Sequence, residues 1–129
     1  LYKVKLMKLL WYIDMIYYKK YGESLTGLVY IHQKLGALPV GSEELMKLKS
    51  IDVKEEAKDE ATIYHIIPNN DYEVKKLSRK EKDVIDLVIN KFKNFNTKQI
   101  VEYMHNEKAY KETNQTQVIE YSFAKDINI

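Results

Sequence analysis

The chain has no cysteine, which excludes disulfide frameworks, thiolate metal sites and cysteine nucleophiles together. Its only arginine is Arg79, so no recognition helix rich in Arg, Asn and Gln can be drawn for reading base edges. The three histidines, His32, His65 and His105, lie far apart in sequence. None forms an i, i+4 pair with another ligand type, and there is no HExxH or carboxylate–histidine cluster. Local hydrogen bonding is the expected role of each. No apolar run approaches the roughly 18 residues of a membrane span. The stretch Leu6–Tyr18 could pass for a signal-peptide core, but Lys8 and Asp14 interrupt it, Lys19 flanks it, and no small-residue cleavage site follows. These absences lead us to expect a cytoplasmic domain with no membrane partner.

What remains is one domain's worth of chain, 129 residues, with 45% apolar and 31% charged residues and a mean hydropathy of −0.47. That balance belongs to a folded globular protein rather than to a disordered one. The net charge of +2 is too small to argue for nucleic acid. Its distribution is uneven: residues 1–35 carry six lysines against two acids, and residues 41–60 carry four lysines against seven acids. The chain begins at Leu1 rather than methionine, and we read it as lacking upstream residues. No repeat, linker or low-complexity tract suggests a second domain, so residues 1–129 are taken as one.

The first element is legible. Leu6, Leu9, Leu10, Ile13, Ile16 and Tyr17 recur at three- and four-residue steps, predicting a helix over residues 2–20 with one apolar stripe. Tyr2, Trp11, Tyr12, Tyr18 and Tyr21 widen the stripe, which makes this helix central. Gly22 ends it after Lys19 and Lys20, residues suited to the negative helix terminus. All four glycines fall between residues 22 and 41, marking a segment of tight turns. Within it, Leu28–His32 reads as a short strand. Ser42 is expected to cap a helix that buries Leu45, Met46 and Leu48. The charged residues 52–60 read as an exposed turn or a short helical continuation, and 62–67 as a strand ending in the turn cluster 68–71. Ser78 and Glu81 form a capping box, before a helix burying Val84, Ile85, Leu87, Val88, Ile89 and Phe92 through to about Phe95. Asn96-Thr97 opens a further helix through Met104, and Asn106–Lys111 a short one. The tail from Gln115 has no clear pattern. The fold class expected is α+β, predominantly α-helical, a compact helical domain with a small antiparallel sheet of short strands.

For catalysis the chain offers little. There is no GxSxG elbow, and the serines have turn or capping contexts. The run from Gly22 to Gly27 lacks the lysine and following helix of a P-loop. Paired carboxylates such as Glu43-Glu44 sit in polar surroundings, where nothing would raise a pKa. The expectation is a non-catalytic domain without cofactor or metal. Lysines near aromatics, Lys3, Lys5, Lys8, Lys19, Lys20 and Lys34, could suit a nucleic-acid backbone, but tyrosines on an amphipathic helix more often pack into the core. Eleven tyrosines and one tryptophan nonetheless exceed what a small core hides, and such residues concentrate binding energy at protein interfaces.

Four segments in order carry a resemblance. Lys8-Leu9-Leu10-Trp11-Tyr12, then Tyr21-Gly22-Glu23-Ser24-Leu25-Thr26-Gly27, then Tyr30–Pro39, and then His105-Asn106-Glu107-Lys108-Ala109-Tyr110-Lys111-Glu112-Thr113 resemble the Panacea domain, the SocA-type antitoxin domain found in phage-associated and bacterial toxin–antitoxin systems. That family's pattern is a K-L-L-x-Y helix, a Y-G-x-x-x-x-G turn, a strand leading to a Y-G-P-V-P-like loop, and an H-x-E-x-A/P-W-x-x-T segment. Here Leu35-Gly36-Ala37-Leu38-Pro39 replaces the usual tyrosine and first proline of the loop, and Tyr110 stands in the tryptophan place. The resemblance implies a compact α+β domain that neutralises a cognate toxin protein by direct contact. In some relatives the domain acts as an adaptor that delivers the toxin to a protease, and in others an upstream segment binds DNA. It places the partner-binding residues on the first helix and glycine loop, at Trp11, Tyr12, Tyr18, Tyr30, His32 and Gln33, with His105 and Tyr110 alongside. The competing placement for Tyr12, Tyr30 and Tyr110 is the domain's own core. The second functional reading is the C-terminal regulatory domain of a DNA-binding transcriptional regulator, its DNA contacts made upstream of Leu1.

Overall fold

A computed structural model describes residues 1–48, 51–58, 61–68 and 77–129. Helix α1 (Lys3–Tyr21) ends where Gly22 adopts a left-handed φ of 76° and returns its N–H to the Tyr18 carbonyl. Two short strands follow, β1 (Tyr30–Gln33) and β2 (Gly36–Pro39), then the one-turn helix α2 (Ser42–Leu45). A charged hairpin, β3 (Ile51–Lys58) and β4 (Ala61–Pro68), leads to the helices α3 (Arg79–Phe92), α4 (Thr97–His105) and α5 (Lys108–Lys111). The chain closes with β5 (Val118–Ile119) and a 3₁₀ helix, Tyr121–Asp126. The architecture is α+β and helix-dominated, as expected. No described helix is long and apolar enough to cross a membrane.

Helix α1 is the axis of the core. Every residue from Trp11 to Tyr17 is buried, together with Met7 and Lys8. A single stripe therefore understates the stretch from Trp11 to Tyr17, which is enclosed on all sides. Around it pack Val84, Val88 and Phe92 of α3, at i, i+4 and i+8, Ile100 and Met104 of α4, and Tyr30, Ile119, Ala124 and Ile127. Tyr12 packs on Phe92, with ring centroids 4.6 Å apart. The starts of α3 and α4 are both fixed by reciprocal capping boxes, Ser78 with Glu81 and Asn96 with Gln99, each satisfying backbone donors that the first turn leaves free.

In the three-stranded antiparallel sheet β1 lies in the middle, with β2 on one side and β5 on the other. Tyr30 pairs with Pro39 and with Ile119. The hairpin β3–β4 is a separate two-stranded ribbon, joined to the N-terminus by a bridge between Tyr2 and His65 and by the Ile66 N–H on the Leu1 carbonyl.

Residues 51–58 are a strand, not a turn or helix. Ile51 and Val53 are half-buried while Asp52 and Lys54 are exposed, and pairing with β4 outweighs the helical leaning of its glutamates and lysines. Residues 59, 60 and 69–71 of the expected turns lie outside the described residues. Helix α2 is a single turn. Its cap position is Gly41, at φ 82°, with Ser42 already helical and making no side-chain cap. Leu48 is exposed, as are Leu87 and Ile89 on α3; the core takes only one residue per turn from α3. The first strand begins at Tyr30 rather than Leu28, α3 ends at Phe92, and α5 begins at Lys108. The unpatterned tail supplies a strand and buries Ile119, Ala124 and Ile127.

Candidate functional site

The eight residues expected to face a partner separate into three groups. Trp11, Tyr12 and Tyr30 are at most 1% exposed and belong to the core, so in the folded chain they present no contact surface. Tyr18 is half-buried and packs on Tyr121, with centroids 5.3 Å apart. His32, Gln33, His105 and Tyr110 do come together. The Tyr110 ring lies between the two imidazoles, stacked 3.7 Å from His32 and 4.4 Å from His105, with interplanar angles of 15°. Its hydroxyl donates to the Gln33 carbonyl at 2.7 Å. His32 Nδ1 is 2.8 Å from the Thr113 hydroxyl, which itself donates to the Ala109 carbonyl at 2.7 Å. The hydroxyl proton is thus committed, and neutral His32 carries its proton on Nδ1. Burial and the neighbouring His105 hold the His32 pKa below the ordinary histidine value. The stack ties the end of β1 to α4 and α5.

The glycine-loop motif has a different organiser, which the sequence reading passed over. Asp14, fully buried on α1, accepts four hydrogen bonds: from Ser24 Oγ at 3.0 Å, Thr26 N–H at 2.8 Å, Thr26 Oγ1 at 2.5 Å and the Tyr30 hydroxyl at 2.6 Å. A buried carboxylate is tolerated only when so supplied with donors. It pulls the loop after Gly22 back onto α1, and Tyr121 closes the far side by donating to the Leu28 carbonyl. Burial and the adjacent Asp14 charge raise the Tyr30 pKa far above that of free tyrosine. The clue was available: Asp14 is the one acid of α1 and stands inside its apolar stretch Trp11–Tyr17, and the loop it serves carries Ser24, Thr26 and Tyr30.

Lys8 is the second buried charge, 2% exposed. Its ammonium donates to the Ala37 carbonyl at 2.7 Å, and the Ala37 N–H points to Met104 Sδ at 3.1 Å. Ala37 sits on β2, an outer strand of the sheet. Its two outward-facing backbone groups are thereby capped from within the chain, which closes that edge to further strands. Gly36 makes this possible. A Cβ there would stand 2.7 Å from Met104 Sδ and 2.9 Å from Lys8 Cε, and its φ is 110°. Desolvation lowers the Lys8 pKa to about 8. Glu107, also fully buried, holds the backbone N–H and side-chain amide of Asn128 and so latches the C-terminal segment. The Tyr12 hydroxyl lies beside the same carboxyl without meeting hydrogen-bond geometry. Burial raises the Glu107 pKa.

A broad concavity lies elsewhere. A groove of about 1050 Å³ runs between the N-terminal half of α1, the β1–β2 turn, β4 and the start of α4. Its lining combines apolar residues, among them Val4, Leu35, Leu38, Tyr64 and Phe95, with Lys3, Lys5, Lys34 and Lys98. Gln33 is the one expected partner residue that borders it.

Comparison with protein families matches residues 6–111 to the antitoxin SocA-like, Panacea domain. Comparison with curated proteins and with solved structures gives no match.

Proposed function

The chain belongs to the SocA-like Panacea antitoxin family, and from that membership we propose that it neutralises a cognate toxin by direct binding, without catalysing a reaction. The family match across the core and the motif segments is the observation that carries this reading. The structure supplies a physical account consistent with it. Asp14 and Glu107 are spent on the chain's own donors, and Lys8 on the chain's own Ala37 carbonyl, so these buried ionisable groups serve architecture rather than substrate. The motif residues hold the domain's own elements together, and exposed apolar and basic side chains remain for a partner.

The test is co-expression with the product of the adjacent gene. Growth arrest by that product alone, relieved when this chain is present, supports the reading. A harmless neighbour, or one that stays toxic beside stable, folded chain, sinks it. Measuring the neighbour's lifetime in the same cells separates two routes: simple occlusion leaves it unchanged, whereas delivery to a protease shortens it.

A further inference from the structure

The groove has an unusual electrostatic frame. The N-terminal ends of α1 and α4 both border it. Helix N-termini carry partial positive charge and ordinarily attract acidic side chains. Neither of these has an acid in its first turn; Lys3 and Lys5 occupy that of α1, and Lys98 that of α4. Lysine there opposes the helix dipole, at a cost of some tenths of a kcal/mol each. Among the described lining residues five lysines face one acid, Glu56, and none of the five forms an ion pair with a described residue. Lys34 and Lys98 are exposed. Between the charges the surface is apolar, aliphatic at Val4, Leu35 and Leu38 and aromatic at Tyr2, Tyr64 and Phe95, and Leu35 is about half exposed, at 50%. A local arrangement that costs the free chain stability is commonly resolved by a ligand of opposite charge.

We propose that this groove is the docking face of the domain and that its occupant is an acidic, amphipathic segment of a partner protein. Carboxylates of the segment meet Lys34, Lys98 and the two helix N-termini, and an apolar side chain seats on Leu35 and Leu38. A single-stranded nucleic acid would use the same charges and has Tyr2 and Tyr64 to stack on, but the half-exposed apolar residue next to Lys34 is Leu35, which offers a base no ring face. Two of the lysines, Lys5 and Lys8, are also already bonded to the chain's own carbonyls, of Phe95 and Ala37. With the antitoxin reading, the segment belongs to the toxin. The chemistry of the groove stands without that reading.

The experiment compares the whole wild-type chain with Lys34→Glu/Lys98→Glu, with Leu35→Ser, and with Lys82→Glu on α3 as a control away from the groove. Each variant is first checked for an unchanged thermal melt. A display library of random 12-residue peptides is selected on the wild type, and enriched peptides are measured by titration at low and high salt. A fluorescent single-stranded 20-nucleotide DNA runs in parallel. The expected result is enrichment of peptides combining acids with a large apolar residue. Their affinity should fall at least about tenfold in the double lysine variant and in Leu35→Ser, and stay level in Lys82→Glu. Enriched peptides without acids, no enrichment, or equal affinity for the double variant overturns the proposal. Salt-sensitive DNA binding lost in the double variant, without peptide enrichment, replaces it by a nucleic-acid site. Toxicity of the neighbouring gene product plays no part in these readings, so the antitoxin assignment can fail independently.

Discussion

Lys8 makes a prediction whose sign is unusual. A lysine that gains an anionic partner on folding has its pKa raised; Lys8 is buried against one carbonyl and has its pKa lowered from 10.5 to about 8. The unfolded chain therefore binds the proton more tightly than the folded one, and stability should increase with pH between about 8 and 10.5. A tenfold difference in proton affinity between the two states is worth about 1.4 kcal/mol. The gain from pH 8 to pH 10 is therefore about 2–3 kcal/mol. The window must stop near pH 10, because buried tyrosines then act in the opposite direction. Tyr12 and Tyr30 have pKa values raised by burial, so their contribution is intact below the free-tyrosine value and is lost as pH climbs past it.

Urea unfolding followed by Trp11, the single tryptophan and 1% exposed, reads this directly. With an m-value of roughly 1.5–2 kcal/mol/M for a chain of this size, the midpoint should rise by about 1–2 M. Lys8→Met is the informative partner. It removes the charge and leaves the Ala37 carbonyl without its donor, a cost of about 1–3 kcal/mol. Relief of the buried ammonium offsets that cost at pH 7. The variant should therefore match the wild type within about 2 kcal/mol at neutrality and show no rise to pH 10. A wild-type midpoint that stays flat, or a variant that climbs in parallel, refutes the assignment of the effect to Lys8.

Three further outcomes follow from the same geometry. Gly36→Ala meets Lys8 and Met104 and a φ of 110°, whereas Gly27→Ala, at φ 78°, meets nothing within 4 Å. The first should cost about 2–4 kcal/mol and the second about 1 in chemical denaturation, and equal costs would remove the close contact as the reason for glycine. Asp14→Asn keeps one acceptor oxygen where two serve four donors, so it should destabilise by roughly 3 kcal/mol, and the amides of 24–28 should exchange measurably faster by hydrogen–deuterium exchange. His32, with a lowered pKa, contributes stability that is present above the unfolded value near 6.5 and is lost as pH falls through its folded value. His32→Gln should flatten the acid limb of a pH–stability profile, and an unchanged limb would assign that slope to other groups.

The sequence made some elements plain and hid others, for physical reasons. Helix α1, the Gly22 stop and the Ser78 box were legible because each is set by residues within one or two turns. The tail was not, because Ile119 is buried by β1, 89 positions away in its pairing with Tyr30. The hairpin β3–β4 was half missed because its first strand is written in glutamates and lysines, which read as solvated helix until β4 is known to lie beside them. At the site, apolar and aromatic character alone cannot say which side of an enclosed helical stretch faces outward. Trp11 was expected at a partner surface and Tyr12 and Tyr30 either there or in the core; all three are buried, while Lys8, Asp14 and Glu107, none of them among the expected contact residues, hold the motif segments in place. Sequence reasoning did bring His32, Gln33, His105 and Tyr110 to one place through motif order, although their stacked arrangement was not foreseen.

The position of β1 between β2 and β5 sets a timetable for biosynthesis. At translation speeds of about 5–20 residues per second, the 89 positions separating Tyr30 from Ile119 correspond to roughly 4–18 s. Throughout that interval one side of β1 has no strand to pair with, and the hydrophobic bed that receives Ile119, Ala124 and Ile127 stays open. Glu107 likewise waits for Asn128. A nascent chain therefore spends seconds with this side of β1 unpaired, and the domain closes only after residues 118–128 have been made.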